Sequence, residues 1–202
     1  MVDLAPLNPD VHGKLKVEMS KGVYASKQHM FPLRVNEIAQ AIGSFPVLIS
    51  RVQNTGDLSL SCLCSFTPQT NLFVENGEWS SDFKPFALDT APFHLVADPE
   101  DRTKPVTGID QSSQLLNKNS GNDIFDNKGK PSLWVKQLGH RLLDDIQNQA
   151  LTRQFLKSLE DHQLLSPIDI VLNFEDGTHN RIRGLNMVNE ERLKSLLSLI
   201  HI

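Results

Sequence analysis

Apolar positions change their period along this chain, and the changes mark its elements. Val35, Ile38, Ala39 and Ile42 fall three and four residues apart, with Glu37 in the first turn and Gly43 after the last, which predicts a short helix. Pro46-Val47-Leu48-Ile49 opens a strand, and an Asn54-Thr55-Gly56-Asp57 turn leads into Leu58–Phe66, so these two segments predict a hairpin. Asn71–Val74 and the segment from Glu78 onward flank Asn76-Gly77, a dipeptide that accepts the positive φ values of a type I′ turn; a second hairpin follows. Phe93–Val96 reads as a further short strand. Between about 98 and 131, polar turn-rich runs surround two apolar anchors, Ile109-Asp110 and Ile124-Phe125, which predicts a long loop region with a strand or two, serving as a lid or a seam between lobes.

Beyond Pro131 a helical period takes over. Ser132 is placed to cap a helix running to about Gln149, with Val135, Leu138, Leu142 and Ile146 as its stripe. A second helix, from about Leu151 to Asp161, carries Leu151, Phe155, Leu156 and Leu159. Ile168–Phe174 then alternates into Glu175-Asp176-Gly177-Thr178, and Arg181–Val188 returns as the partner strand. Asn189 caps a last helix, with Leu193, Leu196, Leu197 and Ile200 on one face. Antiparallel hairpins flanking a central helical pair, without βαβ alternation, predict an α+β fold. The expected organisation is a single compact domain over residues 1–202, divisible into sub-lobes at 10–130, mainly β, and 131–202, helices plus a hairpin.

Composition narrows the classes of function. A chain of 202 residues with 39% hydrophobic and 22% charged residues is that of a folded globular protein. A net charge of −4 with no basic stripe argues against binding to a nucleic-acid backbone. No run approaches the roughly 18 apolar residues of a membrane-spanning helix. Met1 to Pro9 lacks the basic start and continuous apolar stretch of a secretory signal, so the cytoplasm is the expected location. Cys62 and Cys64, two apart in a strand, point to the same face and read as packed, reduced thiols.

No motif in the chain commits it to a reaction. Seven histidines are scattered, with no HxH, HxD or HExxH unit, and there is neither a G-x-S-x-G elbow nor a phosphate loop. Asp144-Asp145 diverge on a helix and read as a solvated face. Asp110 and Asp123-Ile124-Phe125-Asp126 stand in the irregular region, where binding residues collect. Trp79 with Phe73, Phe83, Phe86 and Phe93 reads first as a core aromatic cluster and second as a recognition patch. The candidate contact residues are therefore Phe73, Trp79, Phe86, Phe93, Asp110 and Phe125, with no catalytic residue, metal ligand or cofactor expected. The alternative is an enzyme whose site gathers His12, His94, Asp110 and Asp123 from distant positions.

A series of short motifs in order supplies a resemblance. It runs from Leu7-Asn8-Pro9, His12, Leu15-Lys16-Val17 and Tyr24 through Phe31-Pro32-Leu33, Glu37 and Phe45-Pro46-Val47. Its most specific part is Asn71-Leu72-Phe73-Val74 with Gly77, Trp79 and Pro92-Phe93. It closes through Gly121, Ile124-Phe125, Gly129, Phe155, Leu164-Leu165, Asp176-Gly177, Gly184 and Val188-Asn189-Glu190 with Leu193. Over about residues 8 to 200 the chain resembles the bacterial SapC family, named for a surface-layer-associated protein. It departs from the family pattern at His29-Met30, at Asn189 where an Asp is usual, and in stopping at Ile202 where members run on through another helical segment. The resemblance implies a bacterial accessory protein that binds a partner protein or small ligand, in the setting of halogenase-like enzymes and TonB-receptor-linked systems. A surface-layer component, reaching the cell surface by signal-independent export, is the other role it implies. It carries over no catalytic residues.

Overall fold

One helix organises the molecule. In the computed structural model, which describes residues 3–52, 55–173, 177 and 179–200, Leu133–Asp161 is a continuous helix of 29 residues. The two helices expected on either side of Ala150 are joined, because Gln149-Ala150-Leu151 contains neither proline nor glycine and alanine is the strongest helix former. At ~1.5 Å per residue this helix spans roughly 44 Å, long enough to serve two cores. Its first turns bury Val135, Leu138 and Leu142 in a cluster with Val17, Phe93, Ile109, Leu115 and Ile124. Its last turns bury Leu156 and Leu159 in a second cluster, with Phe31, Leu33, Phe45, Ile49, Leu60 and Cys62. Tyr24 packs against both.

Between these ends the buried face of the helix turns polar. Asp145, expected on a solvated face, is only 3% exposed, while Asp144 is exposed. The reason is a partner remote in sequence. Arg34 donates from Nε to both Asp145 oxygens, at 3.1 and 2.8 Å, and its Nη2 lies 2.7 Å from Oδ2. Gln149 adds a bond from Nε2 at 3.1 Å. One turn on, Thr152 Oγ1 accepts the Val35 N–H at 2.9 Å and donates to the Asn148 carbonyl at 2.7 Å. Glu37 completes the latch, since its carboxylate accepts the N–H groups of Arg34 at 2.7 Å and Phe86 at 2.8 Å. The short helix expected over Val35–Ile42 starts as a tight turn, Val35–Glu37, and continues as Ile38–Ala41.

The α+β class is as the sequence predicts, and every named strand pair is antiparallel. A five-stranded sheet covers the second cluster in the order Leu165–Asn173, His179–Val188, Val47–Arg51, Leu58–Leu63 and Met30–Pro32. Both predicted long hairpins are in it. Their turn residues Asn54, Glu175, Asp176 and Thr178, and Phe174 at the end of a predicted strand, lie outside the described residues. The first cluster is covered by Leu4–Pro6, Pro105–Asp110 and Phe93–Ala97, so the polar region 98–131 supplies a full strand. It also supplies two short ones, Leu116–Asn117 and Asn122–Asp123, which flank Lys16–Val17.

Two glycines permit close approaches that fix this frame. A Cβ on Gly139 would meet Thr107 Oγ1 at 2.6 Å, so the long helix sits directly on the strand Pro105–Asp110. Asn76 and Gly77 adopt φ values of 52° and 80°, giving the predicted turn between Val74–Glu75 and Glu78–Trp79. A Cβ on Gly22 would lie 1.7 Å from the Gly77 carbonyl oxygen, so that turn is seated on the helix Gly22–Ala25. Asn189 caps the last helix as predicted, accepting the Arg192 N–H at 3.0 Å. Ser132 stands at the start of the long helix, but its hydroxyl makes no capping bond.

Removing one partner of the latch leaves a buried charge alone. Arg34→Met, which leaves the Asp145 carboxylate buried without its partner, is expected to cost about 3–5 kcal/mol in urea unfolding, and the double change Arg34→Met with Asp145→Leu markedly less. Equal losses from the single and the double change would show that the pair is not coupled.

Candidate functional site

The aromatic segment divides between the two cores. Phe93 and Phe125 are buried in the first cluster, where Phe93 meets Trp134 edge-on at 5.5 Å between ring centroids. Phe73 and Trp79 pack, half-buried, on Phe45 at 4.1 and 5.9 Å, and Phe31 meets Trp79 edge-on at 5.9 Å. The indole N–H of Trp79 donates to the Phe83 carbonyl at 2.9 Å. Phe83 and Phe86 border a cleft. Phe93 and Phe125 therefore offer no surface to a partner, because the sheet and the long helix close over them.

Asp110 accepts the backbone N–H groups of Asp3 and Ser112 and the Ser112 hydroxyl, which is a turn-stabilising role. His12 is buried with both ring nitrogens engaged: Nδ1 accepts the Asn8 N–H at 3.0 Å, and Nε2 lies 3.4 Å from Gln111 Oε1. His94 is exposed and acts electrostatically on Asp110, while Asp123 pairs with Lys16 at 2.8 Å. Among the described residues no group of three or more His, Cys, Asp or Glu side chains could hold a metal ion. Cys62 and Cys64 are free and buried. The hydrogen bond with Cys62 and then burial push the Cys64 thiol up, which keeps it from acting as a nucleophile.

The arrangement with chemical potential lies elsewhere. Pro85 opens a short helix, Phe86–Thr90, and a cis Ala91-Pro92 bond follows it. The carbonyls at such a helix end lack intrahelical donors. Lys21 supplies them, its Nζ donating to the carbonyls of Asp89 at 2.5 Å and Ala91 at 2.7 Å. Lys21 is 9% exposed, and burial, aided by Lys84 and Arg141 against Asp89, pushes its pKa down to about 8. Arg141 reaches Asp89 Oδ2 at 2.5 Å and also stands over the Phe86 ring at 5.6 Å; Lys84 is 3.4 Å from Oδ1. These groups border a cleft of about 260 Å³ whose other wall is Val17, Met19, Trp134 and Leu138.

A larger cleft of about 630 Å³ lies beside Leu7, Val11 and His12. His12 has both ring nitrogens committed within the fold, so the smaller, cation-lined cleft has the stronger claim to recognition. Trp134, Leu138 and Arg141 stand at helical spacing on one face, a signal present in the sequence. Lys21, Lys84 and Asp89 gave none, because only the tertiary fold brings them to that face.

Fold and cleft together define an α+β protein built on one long helix, with a basic recess along its first half. The chain matches the SapC family over residues 7–198 and belongs to that family. Among curated proteins and solved structures, none matches. No helix among the described residues is long and apolar enough to cross a membrane.

Two outcomes follow from this geometry. The folded state binds the Lys21 proton less tightly than the unfolded chain, so between pH 8 and 10.5 the unfolded state holds more protons and stability is gained as pH rises. Urea unfolding across that window should show wild type gaining on Lys21→Met; parallel curves would mean that Lys21 titrates normally. Trp79→Ala is expected to cost about 3 kcal/mol through lost packing on Phe31, Phe45 and Phe73, where a change below about 1 kcal/mol would show that the ring is not part of the core.

Proposed function

We propose that this SapC-family member is a non-catalytic accessory protein that binds a small ligand, or a short segment of a partner protein, in the basic cleft beside the long helix. The observation that carries the reading is the meeting of Lys21, Lys84 and Arg141 with an apolar wall of Val17, Met19, Trp134 and Leu138. Binding sites combine apolar surface with a few convergent polar groups, and a lysine with a strongly lowered pKa in a cleft is a further mark of one. The cleft is held on rigid elements, since the long helix supplies Trp134, Leu138 and Arg141. The family context supplies the partner classes: halogenase-like enzymes and TonB-receptor-linked systems.

The reading departs from the aromatic surface expected between Phe73 and Phe93. Of that segment it keeps only Phe86, which backs Arg141. A methyl-labelled sample titrated with small apolar fragments tests the location of the site. Shifts in the methyl signals of Met19 and Leu138 are expected. Shifts confined to Leu7 and Val11, at the larger cleft, or none at either place, would overturn the reading.

A further inference from the structure

The charges around the cleft do not balance. Lys21, Lys84 and Arg141 face a single carboxylate, Asp89, and the charged groups that act on the Lys21 ammonium are Asp89, Lys84 and Arg141. Two positive charges are left unmatched. The other carboxylates nearby, in the groove next to Arg141, are already committed. Asp145 is held by Arg34, and Glu37 by the N–H groups of Arg34 and Phe86.

The cations also keep donors in reserve. Lys21 uses two of its three ammonium hydrogens on backbone carbonyls. Arg141 makes one bond to Asp89, of the five N–H donors in its fork. The Lys84 side chain is 40% exposed and makes the longest of these contacts, so it can turn toward an incoming group at little cost. Because all three converge near Asp89 and are not strung along the surface, they suit a compact group with several oxygens. A monocarboxylate would leave one charge unmatched. An extended dicarboxylate would need cations set further apart.

Taking this cleft as the binding site, we infer that its ligand is a phosphate monoester: a compact dianion held by Lys21, Lys84 and Arg141, with an apolar body against Trp134 and Leu138. A recess of about 260 Å³ admits a phosphorylated small molecule or one phosphorylated side chain. It is too small for a nucleic-acid strand. The same chemistry is presented by a free metabolite and by a modified residue of a partner.

Calorimetric titration of the full chain with phenyl phosphate, benzoate and benzyl alcohol tests the inference. Phenyl phosphate is expected to bind at least about tenfold tighter than benzoate, with benzyl alcohol weakest. Its affinity should fall as pH drops through about 6, where the phosphate takes up its second proton, while that of benzoate holds. Lys84→Gln and Arg141→Gln should each weaken phenyl phosphate about tenfold and leave benzyl alcohol unchanged. Lys84→Gln decides the matter if Arg141→Gln disturbs folding. A short phosphotyrosine peptide that binds as tightly as phenyl phosphate would assign the ligand to a partner chain, and its exclusion would assign it to a free metabolite. Equal affinity for benzoate and phenyl phosphate, or indifference to Lys84→Gln, would overturn the dianion. If the methyl signals of Met19 and Leu138 still respond to fragments in that case, the cleft survives as a binding site and only the ligand class fails.

Discussion

The Arg34–Asp145 pair is the constraint on which the rest of this structure depends. A single helix can serve two hydrophobic cores only if something fixes its rotation and height where it passes from one to the other. At that passage the helix buries a carboxylate in place of a leucine, and a guanidinium from the start of another segment answers it with a planar, two-pronged contact. Apolar packing tolerates sliding by fractions of an ångström, whereas a fork of directional bonds does not. Thr152 and Glu37 extend the contact along the helix and across to Phe86.

The cleft follows from that registration. Trp134, Leu138 and Arg141 reach it from the first half of the helix, Asp89 from the short helix that begins at the Phe86 N–H bound by Glu37, and Lys84 from two residues before that helix. Lys21 arrives from the turn preceding Gly22–Ala25, which is itself wedged against Gly77. Three parts of the chain thus meet at one recess, and the latch positions two of them. Lys21 serves both structure and site: it satisfies the carbonyls at the end of Phe86–Thr90 and leaves a cation at the edge of an apolar pocket.

Much of the fold was legible in the sequence because it rests on local signals. Asn76-Gly77, the alternation around Ile168, and Asn189 before Glu190 each encode a turn, a strand or a cap within a few residues. The join at Ala150 was less legible, since a shift in the apolar stripe looks the same whether a helix ends or passes from one core to another. Asp145 reads as a solvated acid for a different reason: its role is set by Arg34, which lies 111 positions away in the chain. The aromatic segment illustrates the limit for the site. Its composition reads first as core and second as surface, and it does not say which ring does which: Phe93 is fully buried, while Phe73 and Trp79 are half-buried. The cleft residues Lys21, Lys84 and Asp89 sit in stretches without periodicity, where sequence carries no record of the partners they meet.

Each core contains one tryptophan, Trp79 beside the five-stranded sheet and Trp134 beside the three-stranded one. Fluorescence-monitored urea unfolding of the single-tryptophan variants Trp134→Phe and Trp79→Phe therefore reports the cores separately. If one latched helix couples them, each variant should give the same midpoint by fluorescence as by the helical circular dichroism signal. A core tryptophan that reports a transition separate from the loss of helix would contradict the account.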